Sequence, residues 1–412
     1  MTQFPDLANP QRRALEVVTE VAIEKECKPF LVGGPVRDLL LGRHVFDIDL
    51  TLEDGASTLA RALAKHIGGR VRSFPQFMTY KIFAEDLPEI DIATARKERY
   101  RVPGALPTVS EGKLKDDLLR RDFTINAMAF GLLDNAVHDP AGGEKDLNDR
   151  LIRVLHEGSF ADDPTRIFRA IRLARRLGFL LEPATDELLR TAIEQDALAS
   201  VSKERIWREL FFAMDEAEAP AVLADLLRRG ALRILIGPRE ADSQLAARLE
   251  SLSAAIAADT TLDRYILYTS ALLDPASRPQ QMEGSGFSQK RLRIVLHIAN
   301  DLPRFEHDLA HAATDRQRFR LFKAVSPEML AALEIHRPEE RETIERFRQY
   351  RAFKLALRGS DLDVPPGPHV AKALERTREA VFNGEIAAAD ARAFAQEVAL
   401  KYLKREQRTE IT

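Results

Sequence analysis

The chain of 412 residues carries one cysteine, Cys27, and one tryptophan, Trp207. A single thiol closes no intrachain disulfide, and a cysteine-based zinc site is excluded with it. No apolar run is long enough to span a bilayer. The stretch from Met1 to Val18 lacks a basic head followed by a continuous apolar core, so no secretory signal is legible and a cytoplasmic location is expected. A basic excess is missing too. The net charge of −3 gives no bulk attraction to phosphate, so any case for a nucleic-acid partner rests on where particular arginines sit. There is no low-complexity tract and no repeat of fixed period. What remains is an ordinary globular composition, 45% hydrophobic and 30% charged, long enough for roughly two to four domains.

Hydrophobic period divides the chain. Residues 1–29 read as a helix, with Leu15, Val18, Val21 and Ala22 at helical spacing. Phe30-Leu31-Val32 is a short apolar run broken by Gly33-Gly34, and Val36 to Leu41 reads as helix. Phe46 to Leu50 alternates apolar and acidic residues, the period of a strand. A helix over 57–67 follows, ended by Gly68-Gly69, and then strands over 79–83 and 89–93. Residues 100–115, with Pro103, Gly104, Pro107 and Gly112, read as loop. Beyond residue 160 nearly everything is helical in period. The expected architecture is a mixed α/β (α+β) head at 1–155, a helical neck at 156–215, and a helical body and tail at 216–412.

Asp47 and Asp49 are the most informative residues. Positions i and i+2 of a strand face the same way, roughly 6.5–7 Å apart. Two carboxylates so placed can bridge hard cations such as Mg²⁺, and two such ions clamp the attacking and leaving oxygens of a phosphoryl transfer. Asp91, in the alternating Glu89-Ile90-Asp91-Ile92, is the natural third carboxylate. The plain alternative for this D-x-D is an exposed strand face. Gly33 and Gly34 lie between a strand and a helix start, where a backbone can approach phosphate closely, and Arg37 adds a charge for a triphosphate. Here the alternative is an ordinary tight turn.

From Gly33 to Asp49, a G-G-x-V-R-D run followed by D-x-D resembles the signature of the tRNA nucleotidyltransferase and bacterial poly(A) polymerase family, the class II members of the polymerase-β-like superfamily. Asp91 to Glu98 resembles the family's third-carboxylate strand, and Arg120 to Met128 its ribose-recognition motif. Asp139 to Gly143, Asp146-Leu147 and Ile152-Arg153 resemble the next block. Asp162 to Arg166 and on to Phe179 resembles the base-reading helix, with Asp162 where the family usually has Glu. The resemblance covers about 30–179 and implies a palm-type nucleotidyltransferase head. It implies two Mg²⁺ ions on Asp47, Asp49 and Asp91, and CTP and ATP as substrates. It further implies that the 3′ end of tRNA is the acceptor, bound along the helical body and tail.

Within that family, Asp122 is expected at the ribose hydroxyls, with contacts to the nucleotide from Arg121 and Asn126. The apolar stretch after Asp122 reads as helical, so a helix N-cap is the alternative for Asp122. Over 164–177, Ile167, Ala170, Ile171, Ala174 and Leu177 form an apolar stripe, while Arg166, Arg169, Arg172 and Arg176 lie on another face. Asp163 and Arg166 are implied to read the base edge in place of a nucleic-acid template. The alternative is a surface ion pair worth a few tenths of a kcal/mol. Ser202 suits a helix N-cap, and Trp207 reads as core. Residues 337–358 mix basic side chains with Phe347, Tyr350 and Phe353 and read equally as a phosphate track or as an amphipathic helix. Gly359, Ser360, Asp361 and Pro366 to Pro368 resemble the family's tail motif. His307, Asp308 and His311 lack the further ligands a phosphohydrolase needs, so no such activity is expected. Poly(A) synthesis, CC-only or A-only addition, and an inactive RNA-binding protein are the competing expectations. The arginine-rich signature associated with poly(A) polymerases is not evident between residues 68 and 90.

Overall fold

The computed structural model describes residues 9–409 except 46, 100, 101, 103, 106, 239–241, 275 and 276. Residues 1–8 of the first expected helix, Phe46 and Pro103 therefore lie outside the described residues. The chain divides into two compact units, 1–299 and 300–412.

Nine strands of the first unit build the head: Phe30–Val32 (β1), Ile48–Leu52 (β2), Arg70–Phe74 (β3), Thr79–Ala84 (β4), Leu87–Thr94 (β5), Arg96–Arg99 (β6), Thr108–Glu111 (β7), Ala129–Gly131 (β8) and Val137–His138 (β9). Seven of them form one mixed sheet in the order β3-β4-β5-β2-β1-β8-β9. The strands β2 and β5 run parallel, and the other neighbours are antiparallel. Alternation decides which face is which. Ile48, Leu50 and Leu52 of β2 and Ile90 and Ile92 of β5 are at most 2% exposed, and helices Asn9–Glu24 and Ala56–His66 pack against β5. Those helices bury Leu15, Val18 and Val21, and Leu59, Ala60 and Leu63 respectively. The opposite face carries the acidic residues between them, because a strand's period is two. The parallel register sets Asp49 directly beside Asp91.

Two sequence expectations are corrected. Residues 100–115 are not loop throughout, since β7 pairs with β6 as a separate antiparallel hairpin. The apolar stretch after Asp122 is not a helix. It is a 3-10 turn, Thr124–Asn126, followed by β8, because Ala127 and Ala129 are drawn into a core cluster with Val32, Leu114 and Leu118. An edge strand, β3, was also not foreseen.

Among the described residues after 155, regular structure is helical apart from Leu180–Leu181, which pairs in parallel with Leu151–Ile152. Helix Arg166–Leu177 starts two residues later than its sequence suggests and stops at Gly178, whose φ of 69° is the left-handed conformation that closes a helix. Trp207, on helix Lys203–Met214, is fully buried, as expected of core. The second unit has its own core. Phe319, Phe322, Phe347 and Tyr350 pack ring against ring, so Phe347 and Tyr350 are interior, while Phe353 is half-buried against Phe382. Among the described residues, no helix is long and apolar enough to cross a membrane.

Candidate active site

A cavity of about 470 Å³ opens against the acidic face of the sheet within the first unit. It gathers Gly34, Asp49, Arg121, Asp122, Asn126, Asp163, Arg166 and Arg169, eight residues expected from sequence to serve one nucleotide. Gly33, Asp47 and Asp91 adjoin it rather than line it.

The carboxylates come first. Asp49 is pushed up to about 6 by burial, then by the charges of Asp91 and Asp47, against the pull of Arg121. Burial also raises Asp91, although Lys81 donates a hydrogen bond of 2.8 Å to its Oδ2. Its Oδ1 is buried with no hydrogen-bond partner. Three acids that repel one another, one with an orphaned oxygen, fit a divalent cation, which would relieve that repulsion. The side chains are not drawn into a closed ligand cluster. Among the described residues, no group of three or more His, Cys, Asp or Glu stands in metal-ligating geometry.

Beside them, Arg121 donates to Asp117 Oδ2 at 3.1 Å and lies against Gly33. A Cβ added to Gly33 would fall 2.4 Å from Arg121 Nη1, and the residue's φ is 76°. The positive φ favours glycine here, and any Cβ would also have to push aside the end of the Arg121 side chain.

Asp122 is 7% exposed. Burial would raise its pKa, but Arg169 beside it and a hydrogen bond from Asn126 win, and the carboxyl is held at about 2. Arg169 donates from Nε at 2.9 Å and Nη2 at 2.5 Å to Oδ2, and Asn126 Nδ2 donates at 2.9 Å to Oδ1. Asn126 Oδ1 accepts in turn from Arg37 at 2.6 Å. Arg37, like Gly33, Asp47 and Asp91, does not line the main cavity. Its other donors go to Asp38, and it faces a smaller cavity of about 90 Å³ shared with Asp122, Asn126 and Arg169.

Asp163 and Arg166 both line the main cavity, but their side chains are held separately. Arg166 donates to Ser159 Oγ at 2.6 Å and to the Arg120 carbonyl at 2.9 Å. Asp163 Oδ1 accepts from Thr165 Oγ1 at 2.7 Å and from Arg205 Nη2 at 2.9 Å. Arg205, Arg208 and Glu209 of helix Lys203–Met214 also reach the cavity. Sequence reasoning placed this helix but assigned its charges no part. Their run beside Trp207 was the available signal, an arginine-rich helix face just after the motif block.

Comparison with known proteins extends the picture. The family described as Poly A polymerase head domain matches residues 29–153. An A-adding tRNA nucleotidyltransferase of Geobacter sulfurreducens is 31% identical over 410 residues, which takes in 93% of this chain and 46% of the relative. The chain spans about half or less of the length of such curated relatives. A solved tRNA-processing enzyme is 30% identical with a TM-score of 0.70, covering 82% of this chain and 96% of that one. A CCA-adding enzyme solved with ATP is 25% identical with a TM-score of 0.79, covering 97% and 96%. With these likenesses joined to the mixed-sheet head and its aligned carboxylates, the chain belongs to the class II tRNA nucleotidyltransferase and bacterial poly(A) polymerase family.

Proposed function

We propose that the protein adds CMP and AMP, from CTP and ATP, to the 3′ end of tRNA without a nucleic-acid template. The observation that carries this is the single cavity in which Asp49 shares space with Asp122, Asp163 and Arg166. Asp47, Asp49 and Asp91 would hold two Mg²⁺ ions, which when bound supply activation of the RNA 3′ hydroxyl and stabilisation of the leaving pyrophosphate. Arg121, between Gly33 and Asp49, supplies positive charge for the triphosphate. Arg37 acts one step back by fixing Asn126. Asp122, ionised and locked by Arg169 and Asn126, accepts from the ribose hydroxyls and so favours ribonucleotides. Asp163 and Arg166 present an acceptor and donors to the base edge, which is how a protein surface can select C and A. The tRNA acceptor is supported by the printed names of the relatives and of a solved CCA-adding enzyme complexed with tRNA.

A narrower reading, addition of the terminal A only, is favoured by the name of the Geobacter sulfurreducens relative. One experiment separates the possibilities. The protein is incubated with tRNA ending at its discriminator base or at CC, with CTP, ATP or both, and the ends are sequenced. CCA on the first substrate supports the full reaction, A on the second alone supports the narrower one, and long A tails mark a poly(A) polymerase. Unaltered ends in every mixture overturn the reading.

A further inference from the structure

Arg72 completes a row of charge that crosses four strands. Asp49 on β2 is in register with Asp91 on β5, Asp91 with Lys81 on β4, and Lys81 with Arg72 on β3. Residues opposite one another on paired strands project to the same face. The row therefore begins at the carboxylates and ends in a cation at the sheet edge. Phe74 belongs to the next row on the same face, through Thr51, Ala93 and Thr79. The Arg72 guanidinium lies 5.0 Å from the centre of the Phe74 ring, a cation–π contact that holds both on that face. Arg70, two residues before Arg72, shares it.

The cations are not equivalent. Lys81 is engaged by Asp91 and Glu89. Arg70 and Arg72 are exposed and form no ion pair among the described residues. Charged edge strands also deter edge-to-edge pairing of sheets. That role needs neither alignment with the carboxylates nor an aromatic ring beside the guanidinium.

Much of the cavity's lining comes from the other flank of β2, while Glu98 of β6 and Pro107 before β7 also reach it. Gly34 follows β1, Asn126 precedes β8, and Asp122 and Arg169 lock together on that side. A nucleotide lying there leaves the β5-β4-β3 flank for the attacking strand, because in-line displacement sets the attacking and leaving oxygens on opposite sides of the phosphorus. Three strand spacings put β3 about 14 Å from β2, so an RNA ending at the carboxylates passes over it within its last few nucleotides.

We propose that Arg70, Arg72 and Phe74 form a track for the single-stranded 3′ end of the RNA, the arginines meeting phosphates and the ring a base. This rests on the nucleotidyl-transfer reading above. The test uses the full chain carrying Arg70→Glu with Arg72→Glu, the same pair changed to Lys, and Phe74→Leu. Incorporation is measured against RNA and nucleotide concentration separately. Binding of a fluorescent RNA ending in CC is followed by anisotropy across a salt series, without nucleotide. The Glu pair is expected to raise KM for RNA about tenfold and leave KM for nucleotide unchanged. It should flatten the slope of log affinity against log salt by about two. The Lys pair is expected to retain most of the affinity, and Phe74→Leu to lose about threefold without a change in slope. A Glu pair with a wild-type circular dichroism spectrum and wild-type RNA affinity overturns the track, as does a rise confined to the nucleotide KM. Failure of the unmodified protein to extend any RNA defeats the functional reading instead, and the anisotropy arm still decides the track.

Discussion

Asp122 shows how a buried acid is kept ionised. Its carboxyl sits at about 2 in the folded chain against about 3.9 when unfolded. A depressed carboxylate contributes stability that is complete above the unfolded value and is lost as pH falls from about 4 towards 2. Arg169→Met removes the main charge opposing burial, and the sign then reverses. Asp122 becomes a destabilising charge at neutral pH and is relieved by protonation on acidification. The expected cost is about 2 kcal/mol at pH 7, shrinking as pH falls, read from urea unfolding at several pH values. A uniform loss at all pH values would show that the pair does not govern this carboxyl. Asp47→Ala should lower incorporation by about three orders of magnitude while RNA binding stays within about twofold. Near-normal turnover by that variant would contradict the assignment of the carboxylates. Gly33→Ala must displace Arg121 and hold a positive φ. A loss of about 1 kcal/mol in stability and a raised nucleotide KM are expected from steady-state kinetics and thermal unfolding.

At the level of elements, legibility followed periodicity. Both β2 and β5 alternate cleanly because one face is buried, so Asp47, Asp49 and Asp91 could be read as neighbours before any coordinates. The edge strand β3 was invisible because Arg70, Val71, Arg72 and Ser73 are all exposed, leaving no buried face to impose a pattern. The β6-β7 hairpin is equally polar and has no apolar period. The stretch after Asp122 misled because an apolar run as short as 123–130 suits a helix or a buried strand alike. Arg205 escaped because its bond to Asp163 joins residues 42 apart in sequence, a distance no local motif encodes. The helix Arg166–Leu177, in contrast, was visible from its stripe and its stop. Gly178→Ala tests that stop. The φ is left-handed but nothing lies within 4 Å of a new Cβ, so about 1 kcal/mol of stability should go while nucleotide selectivity is unchanged. Arg166→Ala should do the reverse at this helix's start, blurring the choice between CTP and ATP, measured as the ratio of kcat/KM for the two.

Across the whole molecule, each of the two units carries its own interior. The ring cluster around Phe347 belongs to the second, and the nucleotide cavity lies wholly in the first. Phe347→Ala is expected to cost the second unit about 3–5 kcal/mol, seen by calorimetry, and to leave KM for nucleotide unaltered. A net charge of −3 coexists with an arginine-lined site because most of those arginines are answered by a nearby acid. One such pairing reaches widely through the chain. Arg205 donates at once to the Gly104 carbonyl and to Asp163 Oδ1, so one oxygen of the carboxylate proposed to read the base is already engaged. If Asp163 reads the base as proposed, a base seeking that oxygen would have to displace a guanidinium, and only a ring edge offering comparable donors would make that exchange even. Discrimination then arises as a competition against the enzyme's own resting bond, at the expense of tight nucleotide affinity.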